Sequence, residues 1–312
     1  MTSLYPTAAD LSSSHFLGAI SFALLFYDYL LTLDLEISRY WGSRFSWPTV
    51  LFFINRYGAL LGNVPVIVQK FWSAPESSAL SPHKLATKEH LELYHQWFVI
   101  TTQILIGVML IFRTHALYER NRAILILMLM VGAGVVAACI WGTIFSGKAQ
   151  AVLGPGSEMP VHLGCTYTII DSQTIDLIVA WASMALFDSL IFFLTLYKAL
   201  SQRYLVGVQL LHVLLRDGSI YFGVVVVSNL CNIMTFIFGG PFTRGVATTF
   251  TNIISSIMIS RLMLNIRDPS LANKRQEYSE GHANSGEVVE FSTCMMSEEL
   301  STPDSDTADG WI

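Results

Sequence analysis

AILILMLMVGAGVVAACIWGTIF, Ala123 to Phe145, contains no charged side chain and no proline. At about 1.5 Å of rise per residue, a helix of this length reaches roughly 34 Å, enough to cross the ~30 Å hydrocarbon layer of a bilayer. Its apolar residues occupy every side of such a helix instead of one stripe, so no single protein surface can cover them all. A helix of this kind needs an apolar solvent.

Six further segments share that character. Phe16 to Ile37, Thr49 to Lys70 and Leu93 to Leu117 precede it; Ile175 to Lys198, Ser219 to Phe238 and Val246 to Leu264 follow. The whole chain agrees, with 53% hydrophobic and 13% charged residues over 312 positions, against about 25% charged in soluble proteins. The fold expected is therefore all-α: a polytopic membrane protein built as a seven-transmembrane helix bundle. Only a short turn centred on Gly239, Gly240 and Pro241 separates the last two spans.

Three regions follow: a short extracytoplasmic amino-terminal stretch at 1–15, a transmembrane domain at 16–268, and a tail at 269–312. The opening MTSLYPTAADLSSSHF lacks the basic region and small-residue cleavage pattern of a signal peptide, so the first span is read as retained. Between Glu277 and Trp311 the tail holds nine acidic residues and no Lys or Arg, which accounts for the net charge of −5 over a mildly basic body. With nine Ser or Thr between Ser279 and Thr307 and few apolar residues, it is expected to be disordered.

Basic residues set the expected orientation. With the amino end outside, the interior side holds Arg39, Arg44, Arg113, Arg120, Arg122, Lys198, Arg203, Arg216, Arg261, Arg267, Lys274 and Arg275; the exterior holds Lys70, Lys84, Lys88, Lys148 and Arg244. This bias places the tail in the cytosol of a plasma membrane or endomembrane. The stretches after the second span, Trp72 to His90, and after the fourth, Ser146 to Ser172, read as long outer loops. Ser201 to Arg216 reads as a short interfacial helix or an extension of the sixth span.

Polar groups within the spans are the candidate functional residues. Asp28 and Arg56 fall at similar depth in the first two spans, and an unpaired charge in hydrocarbon costs several kcal/mol. They are expected to face one another or to share partners such as Asn55. Asp188 reaches a similar depth in the fifth span and is expected to face the bundle interior. Asp34, Glu36 and Arg39, with Arg120 and Arg122 on the turn after the third span, form an inner-face charged set. Pro65 is expected to bend the second span and open a cavity bordered by Trp97 and Trp181, with Gln103, Asn229, Asn232 and Asn252 as further lining. Gly58 with Gly62, and Ala133 with Ala137, are small-residue steps suited to helix packing.

Several chemistries find no support. There is no His-Glu-x-x-His, phosphate-loop or Gly-x-Ser-x-Gly pattern, and His90 and His95 are not at the four-residue spacing of a ligand pair. Cys139, Cys165, Cys231 and Cys294 have no metal-like spacing and suggest no disulfide scaffold. The last span has no lysine for a retinal Schiff base. No catalytic residue, metal site or cofactor is assigned, an enzyme is not indicated, and nucleic acid is not an expected partner.

The stretch YDYLLTLDLEISRYW, Tyr27 to Trp41, followed by VLFFINRY, Val50 to Tyr57, resembles the signature of the DUF6533 family of membrane proteins, found especially in mushroom-forming basidiomycete fungi. LLRDGSIYF, Leu214 to Phe222, and SRLMLNIR, Ser260 to Arg267, are similar to that family's later elements. Asp28, Asp34, Glu36, Trp41, Asn55, Arg56 and Tyr57 match positions of the signature. The resemblance implies a heptahelical, GPCR-like topology and supplies no ligand or reaction.

Two functions fit. The leading expectation is a receptor-like sensor embedded in the lipid bilayer, with a small-molecule ligand and a cytosolic signalling partner. The alternative is a small-solute or proton-coupled transporter using the intramembrane Asp and Arg residues.

Overall fold

The computed structural model describes residues 8–42, 46–71, 82–149, 171–201, 209–240 and 243–267. Among these, all regular structure is helical. The order is α1 (Ala8–Glu36), a π-helical turn (Ile37–Trp41), α2 (Trp47–Gly62), α3 (Val64–Phe71), α4 (Pro82–Leu117), α5 (Arg122–Ala149), α6 (Asp171–Ser201), α7 (Gln209–Phe238) and α8 (Thr248–Ile266). α2 and α3 are two halves of one bent rod, so seven rods form the bundle.

Six of the rods are long and apolar enough to cross a membrane: Ser12–Trp41, Trp47–Phe71, Leu93–Leu117, Arg122–Gly142, Thr174–Lys198 and Ile220–Phe238. The chain is an integral membrane protein whose outer surface meets lipid. α5 is the most peripheral rod, with 11% of its apolar window buried against 44% for α4. This explains its uninterrupted hydrophobicity: most of it faces lipid.

The seventh rod, α8, is built on the opposite principle. None of its nineteen residues is exposed, and eleven are buried outright, among them Thr249, Thr251, Asn252, Ser255, Ser256 and Ser260. It packs against α1, α2, α4 and α7. A helix surrounded by protein need not be apolar, because its hydroxyls and amides find partners on neighbouring helices.

The bend between α2 and α3 falls at Asn63, two residues before Pro65, as a proline without an N–H requires. The Asn63 side-chain amide donates to the Ala59 carbonyl at 2.7 Å, and the Tyr94 hydroxyl donates to the Gly62 carbonyl at 2.8 Å. Of the small-residue step, only Gly62 is used. A Cβ there collides with the Phe98 ring, whereas one at Gly58 meets nothing within 4 Å. Gly62→Ala should therefore destabilise the detergent-solubilised protein by about 1–3 kcal/mol. Gly58→Ala should leave the thermal midpoint unchanged or slightly raised. Ala133 and Ala137 are exposed and make no packing step inside the chain.

One loop expectation is revised, and one of the two readings of Ser201 to Arg216 is selected. α4 begins at Pro82, so the second half of the Trp72 to His90 stretch is helix, while 72–81 lie outside the described residues. α7 begins at Gln209 and runs unbroken to Phe238, making that part of the Ser201 to Arg216 segment an extension of the sixth span. Most of the Ser146 to Ser172 stretch and the tail lie outside the described residues. The turn from α7 to α8 closes with Gly245 at φ +70°, where the Phe236 ring stands 2.7 Å from the place of a Cβ. Arg244 fastens it by donating to the Gly239 carbonyl at 3.2 Å and the Thr174 hydroxyl of α6 at 3.0 Å.

Candidate functional site

α1 leaves its α-helical path at Ile37, and the π turn carries three side chains in different directions. Trp41 folds back so that its indole N–H donates to Glu36 Oε1 at 3.0 Å. Arg39 donates to the Leu264 carbonyl at 2.7 Å, and the Tyr40 hydroxyl donates to the Met263 carbonyl at 3.1 Å. These contacts reach carbonyls in the last turn of α8, where Leu264 also accepts from the Arg267 backbone N–H at 3.2 Å. Tyr40 also stacks on Phe52, with ring centres 3.9 Å apart.

Glu36, fully buried, is the centre of this end of the bundle. Its Oε2 meets Arg56 Nε at 2.6 Å, and its Oε1 accepts the Tyr57 hydroxyl at 2.8 Å as well as Trp41. Arg56 is 4% exposed; its other nitrogen donates to the Tyr29 carbonyl at 3.0 Å and its guanidinium lies 4.9 Å from the Tyr29 ring centre. Arg56 thus takes Glu36, not Asp28, as its ion partner. Asp28 instead pairs with Arg261 of α8. Asp28 and Arg56 still share one small cavity, walled also by Leu25, Ser256 and Ser260. Asn55 enters this group through α8, donating to the Ser256 carbonyl at 3.1 Å and the Ser260 hydroxyl at 2.9 Å.

Asp188 sits in a second place, between α6, α7 and α8. It is 8% exposed, accepts one hydrogen bond from the Asn229 side chain at 2.5 Å, and forms no ion pair among the described residues. It borders a water-sized cavity of about 10 Å³ together with Leu110, Tyr221, Phe222 and Ser255. The Ser255 hydroxyl and the Asn229 side-chain oxygen are buried there without a hydrogen-bond partner.

α8 joins the two places. From one end to the other its polar side chains reach four neighbouring helices. Thr249 meets His95 at 3.3 Å, Gln103 donates to Asn252 at 3.1 Å, and Thr251 donates to the Ser228 carbonyl at 3.2 Å. Beyond Ser255, Ser256 and Ser260 come Arg261 on Asp28, and Asn265, which donates to the Tyr221 hydroxyl at 2.7 Å. Arg267 closes the series by donating to the Thr49 hydroxyl at 2.8 Å. Among the described residues the helix forms a polar column through the protein interior, with an acid outside any ion pair, Asp188, beside its middle and two ion pairs near one end.

The remaining candidates lie apart from this core. Asp34 is exposed, and Arg120 and Arg122 are exposed on the turn between α4 and α5. Trp181 is buried in an apolar cluster with Val99, Ile100 and Phe236, while Trp97 is 44% exposed. Neither cavity described above is lined by Pro65, Trp97 or Trp181. Cys139 is buried and Cys231 exposed, and neither joins a disulfide among the described residues. Three participants escaped the sequence reading: Arg261, counted only as a basic residue of the interior side; Ser255, one serine of a serine-rich helix; and Arg113, a buried cation beside Phe222. A cation within the last span was the available signal for Arg261.

A model of a family of unknown function (DUF6533) matches residues 16–61, which take in most of α1, the π turn and all but the last residue of α2. The match includes Asp28, Glu36, Asn55 and Arg56 and stops well short of Asp188 and Arg261. It carries no information on the source organism. No curated protein and no solved structure is significantly similar to the chain.

Proposed function

We propose that the chain is a proton-coupled transporter in which Asp188 carries the proton. One observation supports this above the others: an acid without a cationic partner borders a water-sized cavity against the polar column of α8. An ionisable group inside a membrane domain is a functional candidate by default, because hydrocarbon makes it expensive to keep for packing alone. A carboxyl can bind and release a proton without any other group changing, and a cavity of this size admits water and nothing larger.

The two ion pairs support the same reading. Glu36 with Arg56 and Asp28 with Arg261 place four charges around one end of the column, with Asp28 and Arg56 already on one cavity. Exchange of partners among them gives that end two arrangements, as alternating access requires. The excess of Lys and Arg on that side argues that it faces the cytosol. Residues 16–268 are then the transporting unit, with 1–15 outside and 269–312 in the cytosol.

Purified protein reconstituted in liposomes with a trapped pH dye tests the proposal. Under an imposed pH gradient and a potassium clamp, proteoliposomes should equilibrate protons faster than protein-free vesicles. Equal rates would remove the transport reading. Absent flux together with ligand affinity sensitive to guanine nucleotide would support a receptor instead.

A further inference from the structure

Of the buried charges, Arg113 takes no part in the proton step on Asp188 or in the two ion pairs. Arg113, near the end of α4, is 8% exposed, forms no ion pair among the described residues, and has an Nη1 without a hydrogen-bond partner. Its guanidinium carbon stands 4.9 Å from the centre of the Phe222 ring. A desolvated arginine gains from an aromatic face, but the ring does not supply a counter-charge.

Asp188 is the complementary case, an acid without an ion pair among the described residues, and Phe222 is placed beside both. The ring lies under Arg113 and also walls the Asp188 cavity. Leu110 walls the same cavity, and Arg113 follows it by one turn on the same face of α4. The arginine backbone is thus only about 4.5 Å of axial rise beyond the cavity wall. A long, flexible arginine stem covers such a distance.

We infer that Arg113 is the counter-ion Asp188 takes up on losing its proton, and that the Phe222 ring is the movable partition between them. The inference rests on the reading of Asp188 as the proton carrier. In the step itself the O–H bond of the Asp188 carboxyl breaks, the electron pair stays on oxygen, and the proton passes to water in the cavity. The guanidinium stays protonated throughout and neutralises the carboxylate once the ring has swung aside. With Asp188 neutral, Arg113 returns to the face of Phe222, the arrangement seen here.

Among the described residues, the surroundings leave Arg113 as the cation on α4, α6, α7 or α8 that has no acid partner and stands beside a wall of this cavity. From α7 the cavity receives Tyr221, whose hydroxyl accepts from Asn265; from α8 it receives Ser255. α5 contributes no lining residue. On α6 itself, Lys198 lies nearly three turns along and pairs with Glu119 of the α4–α5 turn at 3.3 Å. Arg261 is engaged by Asp28.

The test uses full-length protein with 4-fluorophenylalanine at position 222, read by fluorine NMR in nanodiscs, alongside proton flux in liposomes. Wild type should show two ring environments whose populations change between acidic and alkaline buffer. Asp188→Asn and Arg113→Gln should each show one. Arg113→Gln should slow flux about tenfold or more, and Arg113→Lys, which keeps the charge, should recover most of it. A single ring environment in wild type in both buffers overturns the inference. So does flux that depends on Asp188 yet ignores Arg113→Gln, and in that case the transport reading survives. Two environments that collapse in both variants, with no flux from wild type, would keep the pairing and discard transport.

Discussion

Vesicles carrying Asp188→Asn protein should move protons about 100-fold more slowly than wild type, or no faster than lipid alone. Asparagine has nearly the same shape as aspartate, and its side-chain oxygen can still accept the hydrogen bond that Asn229 now donates at 2.5 Å. What disappears is the ability to bind and release a proton. Because the amide mimics the neutral carboxyl of the arrangement seen here and orphans no ion partner among the described residues, folding should not suffer. Yield, gel-filtration profile and thermal midpoint in detergent should stay close to wild type. That separation of activity from stability distinguishes a carrier residue from a packing residue. A variant that folds normally and conducts at the wild-type rate would mean that protons pass by water alone, or along a route that avoids α6.

Asp28→Asn makes a useful contrast. Its partner Arg261 is 33% exposed, so the orphaned guanidinium can reach solvent or lipid headgroups instead of staying stranded. A modest loss of stability and only a partial loss of flux are expected, measured in the same two assays.

How far the sequence goes can be seen at individual residues. Segments such as Ala123 to Phe145 are legible because the solvent writes itself into composition: α5 faces lipid over most of its surface, and its sequence is apolar all round. α8 carries the opposite message. Thr249, Asn252, Ser255 and Ser260 make it too polar for a lipid-facing helix, and its length and the preceding glycine turn are the sequence signals for a seventh rod. That it occupies the interior follows only once its polar groups are matched with partners on four other helices.

Depth along a helix is readable from residue number, whereas rotation about the axis and the choice among neighbours are not. Asp28 and Glu36 are eight residues apart, about 80° around α1 and so within one broad face, which gives Arg56 two acids within reach of its long side chain. The choice went to Glu36, where Tyr57 and Trp41 complete the carboxylate's hydrogen bonds, while Asp28 was taken by a cation two hundred residues further along the chain. Trp97 and Trp181 show the same limit. Both are aromatic, yet one turns outward and the other into the core. The inward position of Asp188 could be anticipated from the cost of a lipid-exposed carboxylate, but its neighbours Asn229, Ser255 and Phe222 come from three rotations that no single-helix pattern fixes.

Glu36→Gln and Arg56→Gln should each destabilise the protein in detergent by about 3–5 kcal/mol. The pair is almost entirely out of solvent, at 0% and 4% exposure, and its atoms are 2.6 Å apart. Replacing the carboxylate by an amide takes from the buried Arg56 charge its ion partner, leaving the Tyr29 carbonyl and two aromatic faces beside it and Asp28, already paired with Arg261, on the shared cavity. Removing the arginine leaves a buried carboxylate supported by two neutral donors, Tyr57 and Trp41. The double variant removes both charges, and two amides can hydrogen-bond to one another, so its loss should be smaller than the sum of the singles by about 1–3 kcal/mol. Because the pair also holds the π turn against α2, each single variant should loosen the Arg39 and Tyr40 contacts to the end of α8, read as faster amide exchange at Leu264 to Arg267 than in wild type. Additive losses in the double variant, or singles that melt with wild type, would reduce the pair to a bystander and leave the Asp28–Arg261 bond as the fastening between α1 and α8.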